Sequence, residues 1–139
     1  MTDAVVDANV ALKWVLPEAD SDVAAGMRGL VLSAPDFWLV ECGNVLWVQV
    51  HRRKLALADA AAMLDQLRTA PVRTHPCDGI IAASLTIATD LDESLYDCIY
   101  LALAISLGVR LVTADMAFAR KAQRRPDLAG RVVGLSTLR

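Results

Sequence analysis

The sequence predicts an α/β protein: three layers, α/β/α, around a central parallel sheet of short strands. Two observations carry this. Short apolar runs alternate along the chain with longer segments of helical periodicity, which implies parallel strands joined by helices that cover both faces of the sheet. Four acids, Asp7, Glu41, Asp97 and Asp115, each lie beside or inside one of these apolar segments, where a charge costs free energy unless something compensates it.

Val5-Val6 reads as a buried strand ended by Asp7, and Asn9 to Leu16 as a helix stopped by Pro17. Asp20 to Leu30 is a second helix, weakened by Gly26 and Gly29, and Val31 to Ser33 a short strand. Pro35-Asp36 opens a long helix to about Lys54, with Asp36 as its N-cap. Asp59 to Thr69 is an Ala-rich helix, Val72 to His75 a strand and Asp78 to Thr89 a helix. Ser94 to Leu107 is a helix closed by Gly108, Arg110 to Thr113 a strand, Met116 to Arg125 a helix stopped by Pro126, and Arg131 to Leu135 the last strand. With 139 residues and no linker or repeat, residues 1–139 read as a single domain.

Composition narrows the function. Hydrophobic residues make up 55% and aromatics only 5%, more apolar surface than so small a domain easily buries, which points to a homodimer or a permanent partner. The longest apolar stretch, Cys98 to Val109, is far short of the roughly 20 residues of a membrane span. The first residues carry Asp3 and Asp7 without a basic cluster, unlike a signal peptide. The three cysteines are widely spaced, with no CxxC, and read as buried reduced thiols of a cytoplasmic protein. Net charge is −2, but cations cluster at His51-Arg52-Arg53-Lys54 and at Arg120-Lys121 with Arg124-Arg125. The ordinary account of each cluster is a solvated helix end.

The element order places the four acids together. Asp7 and Asp115 end strands. Glu41 and Asp97 lie near the starts of helices, and all four fall at the carboxyl edge of the sheet, where open α/β sheets bind ligands. Each has an innocent explanation. Asp7 and Asp115 can cap the helices that follow them, and Ser94-Leu95-Tyr96-Asp97 fits a capping box. Glu41 resists such treatment, since it sits inside a helix whose neighbours Trp38, Val45 and Trp47 are core-like. Converging, the four make an oxygen-only pocket suited to a hard divalent cation. Asn9 and Thr113 can reach the same pocket with supporting hydrogen bonds to a carboxylate or a bound water. His51 and His75 are read as structural or surface residues, and Trp14 as either core or part of a partner-binding groove with Leu16. The chain carries no GxxxxGK[ST] or GxGxxG loop.

Val5-Val6-Asp7-Ala8-Asn9, Glu41 in its long helix, Tyr96-Asp97-Cys98-Ile99-Tyr100-Leu101-Ala102-Leu103-Ala104 and Leu111-Val112-Thr113-Ala114-Asp115 resemble the successive motifs of the PIN domain. In size the chain is similar to the VapC toxins of type II toxin–antitoxin pairs. The resemblance implies an endoribonuclease in which Asp7, Asp97 and Asp115 coordinate Mg²⁺ or Mn²⁺ and Glu41 completes the catalytic set, with a metal-activated water hydrolysing RNA. It also implies a homodimer silenced by a cognate VapB-like antitoxin. Met116 to Arg120 lacks the further acid that many members carry there. The same motifs serve PIN-type nucleases of RNA maturation or of DNA, and silent PIN-like binding modules, though the four retained acids argue against the last.

Overall fold

A computed structural model describes residues 1–139. Five strands form one parallel sheet: β1 (Ala4–Val6), β2 (Leu32–Pro35), β3 (Val72–His75), β4 (Arg110–Thr113) and β5 (Val132–Gly134). Their order is β3-β2-β1-β4-β5. The chain therefore winds outward from β1 to β3, then crosses back and continues on the other side of β1. The strand order reverses between β1 and β4, whose registers pair Val5 with Leu111 and Val6 with Val112. That crevice is where open α/β sheets place their ligands.

Side chains alternate across the sheet with period two. Val5, Leu111 and Val132 enter a core of 23 buried residues, whereas Ala4, Val6, Leu32 and Val112 enter a smaller core of 8 on the opposite face. Over the larger core lie α3 (Trp38–His51), α4 (Leu57–Arg68), α5 (Ile81–Leu91), α6 (Leu95–Leu107) and α7 (Met116–Gln123), and α6 crosses β1, β2 and β4. The short α2 (Ser21–Gly26) and the last turn, Leu135–Leu138, cover the smaller core. The three-layer α/β/α arrangement is thus the one expected. Gly108 ends α6 at φ +69°, the left-handed backbone that favours glycine. No helix is long and apolar enough to cross a membrane.

Several local expectations need correction. The long helix begins at Trp38, not Pro35-Asp36, and Asp36 is not its N-cap. Pro35 stays in β2 opposite His75, and the Asp36 amide donates to the His75 carbonyl at 2.8 Å, so the sheet claims two residues that local propensity assigns to the helix. The first helix is α-helical only as α1 (Ala8–Ala11) and tightens into a 3₁₀ turn at Leu12–Trp14 before Pro17. The second ends at Gly26, with a 3₁₀ turn over Met27–Gly29. Trp38 is core as expected, but Val45 and Trp47 are not: Trp47 is 59% exposed and stacks on His51 with centroids 5.1 Å apart. Trp14 packs against both cores, and its indole N–H donates to the Ala24 carbonyl at 2.8 Å. Trp14 and Leu16 are both half-buried, and Leu16 lines a hollow beside Asn9 and Asp115.

Candidate active site

Asp7 leaves β1 into the reversal point and is 8% exposed. Its Oδ1 accepts from the Val10 amide at 3.1 Å, capping α1. Burial holds its carboxyl far above the usual carboxylate range, at about 7, and the charges of Asp97 and Glu41 push in the same direction. The Thr113 hydroxyl and the Val10 amide pull the other way. Thr113 is fully buried, and its hydroxyl also accepts from the Asp115 amide at 3.0 Å. It thereby links the ends of β1 and β4.

Asp115 caps α7, its Oδ1 accepting from the Phe118 amide at 3.0 Å. Asn9 is exposed and spends its carbonyl oxygen on the Ala114 amide at 3.0 Å. That bond braces α1 against the end of β4 and leaves the amide NH2, the group able to donate to a carboxylate, free. Asp97 lies in the first turn of α6, where its amide donates to the Ser94 hydroxyl at 3.2 Å, one half of the expected capping box. Burial raises its carboxyl, Ser94 lowers it, and Asp115 and Glu93 raise it again. Glu41 lies in the first turn of α3. Burial raises it first and the charge of Asp97 second.

Three of the acids thus feel others: Asp7 feels Asp97 and Glu41, Glu41 feels Asp97, and Asp97 feels Asp115. Capping and clustering are compatible, because a cap occupies one carboxylate oxygen. None of the ion pairs of the protein includes any of the four. Glu41 Oε1 is buried without a hydrogen-bond partner, and so is the Tyr100 hydroxyl. The phenol favours the ionised Glu41, yet neither atom completes a bond. No three carboxylate, imidazole or thiol groups stand together as a formed metal cage. The site is an acidic pocket, not a formed cation cage. Its uncompensated buried oxygens suit a cation, since hard divalent ions take oxygen donors.

A model of the PIN domain matches residues 4–124. The chain belongs to the PIN-domain family. This PIN domain is 29% identical over 121 residues to ribonuclease VapC3 of Pyrobaculum aerophilum, covering 84% of the chain and 92% of the relative. Its fold resembles the crystal structure of PAE2754 from the same organism, with TM-score 0.72, 24% identity, and coverage of 99% and 86% of the two chains. It also resembles Mycobacterium tuberculosis VapC20, described as a sarcin-ricin loop cleaving toxin, with TM-score 0.64, 16% identity, and coverage of 84% and 95%.

Sequence reasoning missed Tyr100 beside Glu41. The signal was the i, i+3 spacing from Asp97, which puts both on one face of α6, but Tyr100 sits in an apolar run and reads as core. The basic clusters are less available than their sequence suggests. Lys121 pairs with Glu93 at 3.2 Å, and Arg125 pairs with Asp90 at 3.4 Å and Asp127 at 2.8 Å. Arg120 and Arg124 are exposed. His51 to Lys54 lie at the far end of α3 from Glu41, roughly 15 Å along the axis at 1.5 Å per residue.

Proposed function

We propose that this PIN domain, a single domain over residues 1–139, is a metal-dependent endoribonuclease and the toxin of a type II toxin–antitoxin pair. The observation that carries the reading is a set of mutually repelling carboxylates at the strand-order reversal, with Asp7 buried, Glu41 and Asp97 half-buried and Asp115 exposed at the rim, none of them in an ion pair with a protein cation. The names of its relatives, ribonuclease VapC3 and the toxin VapC20, support it.

Asp7, Asp97 and Asp115 would hold Mg²⁺ or Mn²⁺, with Glu41 completing the acidic set. A bound divalent ion supplies charge neutralisation and Lewis acidity toward a phosphodiester and lowers the pKa of water at the site. The residues of the chain prepare for this. Thr113 orients Asp7 while holding the Asp115 amide. Asn9 locks the end of β4 to α1, which keeps Asp7 and Asp115 in fixed relation. Burial keeps water away from Asp7 and strengthens its interaction with any cation. Without a cation the pocket repels phosphates, so Arg120 and Arg124 are the candidates to hold the RNA backbone.

A homodimer and a VapB-like antitoxin would cover the apolar surface that the chain leaves open, including Trp47 and Leu57 at 59% and 72% exposure. Sequencing RNA 5′ ends after induced expression, for the wild type and Asp97→Asn side by side, tests activity and target together. New ends that appear with the wild type alone are expected. The same ends in both, or wild-type cleavage that persists in EDTA, would overturn the reading.

A further inference from the structure

The acidic pocket opens into a hollow of about 630 Å³ between the first turns of α3 and α6. Glu41 and Asp97 form part of its wall, and no Lys, Arg or His lines it. A phosphate finds no cation there and faces two carboxylates, so the hollow disfavours the RNA backbone. Its remaining lining suits a neutral, flat group with a polar edge. Val40 and Val45 supply apolar floor, and Asn44 and Ser94 supply an exposed amide and hydroxyl.

The ring of Tyr96 is the feature that decides what this group is. It is 61% exposed, yet it is not loose. Phe37 meets it edge to face with centroids 5.5 Å apart at 79°, and Phe37 in turn meets the buried Tyr100 at 5.5 Å and 83°. An aromatic chain anchored in the core thus props an open ring at the mouth of the pocket. Tyr96, Asp97 and Glu41 line the same hollow, so a base stacked on the ring lies beside the acids.

We propose that this hollow binds one unpaired nucleobase of the RNA, next to the phosphate that is cut. The base stacks on Tyr96 with its edge toward Asn44 and Ser94. The site deepens the ribonuclease reading and rests on it. Stacking on an aromatic ring tolerates any base, so Tyr96 supplies affinity. Asn44, which carries both a donor and an acceptor, supplies preference among bases.

The test measures steady-state cleavage, with Mg²⁺ present, of a single-stranded RNA whose cut site has been mapped, and of the same RNA lacking the base beside the cut. Tyr96→Ala is expected to raise KM about tenfold or more, the usual cost of one lost stacking contact, and to affect kcat less. Tyr96→Phe, which keeps the ring, restores KM. Removing the base raises the wild-type KM similarly and leaves Tyr96→Ala little further impaired. Asn44→Ala alters the distribution of cut sequences. Should Tyr96→Ala fold poorly, Tyr96→Leu keeps apolar packing on Phe37 without an aromatic face and must show the same KM defect. Wild-type KM in both Tyr96→Ala and Tyr96→Leu overturns the proposal. So does a Tyr96→Ala protein whose main change is loss of self-association in sedimentation velocity, because the ring would then belong to a contact between copies. A wild type that cuts no RNA removes the ribonuclease reading and this proposal with it. Intact cleavage indifferent to Tyr96 removes the proposal alone.

Discussion

Helices α3 and α6 begin alike and end up in different environments. Each carries an acid in its first turn, Glu41 or Asp97, and each continues through a mostly apolar sequence. In α6, every residue from Cys98 to Ala104 is buried, because the helix lies across the middle of the sheet with α5 packed against it. In α3, only Trp38, Cys42 and Leu46 are buried, a single stripe at i, i+4, i+8 that faces α1 and the core. Leu39 and Val50 pack half-buried against the same core, whereas Val40, Val45 and Trp47 face solvent. One helix holds the domain together, and the other offers surface to partners while holding its acid at the same pocket.

The largest expected effect falls on the acids of both helices. Asp97→Asn keeps size and removes charge, and should slow RNA cleavage at least ~10²-fold, the scale of a single electrostatic contribution to catalysis. Initial rates on a mapped RNA with saturating Mg²⁺ measure it. A loss under threefold would separate α6 from the chemistry.

Leu101→Ala tests the claim that α6 carries stability. Leu101 is fully buried, and such truncations cost about 2–5 kcal/mol. Chemical denaturation compares it with the wild type. A cost below 1 kcal/mol, on the order of a surface change, would contradict the packing described.

Acidity sharpens the comparison at the pocket between the helices. Burial holds Asp7 at about 7 in the folded protein, against 3.8 for the free side chain. Between these values the folded state keeps a proton that the unfolded chain has released. Metal-free stability is therefore fullest below about pH 4 for this group and is lost as pH rises through about 7. The size is on the order of 4 kcal/mol. Melting curves in EDTA from pH 5 to 8 should show Tm falling, and Mg²⁺ should restore it most at the high end, by linkage. A flat EDTA profile would mean that Asp7 ionises freely in the folded state.

A smaller effect separates the two helices directly. Glu41→Gln on α3 removes one of the repelling carboxylates and should leave the metal-free fold as stable or firmer. Added Mg²⁺ should then raise Tm more in the wild type than in this variant. Equal shifts would place Glu41 outside the ion's reach. The smallest effect is expected at Trp47→Ala, within about 0.5 kcal/mol of wild-type stability for the monomer, although self-association or antitoxin binding should weaken. Sedimentation velocity beside a denaturation curve distinguishes this from the core role that its apolar neighbours in sequence suggest.

Periodicity and strand-ending acids were enough to read the alternation of strands and helices, the α/β class, and the placement of all four acids at one edge. The reason is local. A strand buried on both faces shows as a short apolar run, and a carboxylate is tolerated at its end because helix amides and neighbouring hydroxyls receive it, as the Val10 and Phe118 amides do. Non-local competition decided the rest. β2 kept Pro35 and Asp36 from the long helix because β3 offered them backbone pairing. The sheet order set β1 beside β4, so that Thr113 and Asn9 could tie Asp7 and Asp115 together. Tertiary packing also chose which stripe of α3 is buried, and so turned Trp47 outward while Trp38 went in. An apolar helix carries more than one stripe able to face a core, and the stripe that does so is chosen by the elements it meets, which lie far away in the sequence.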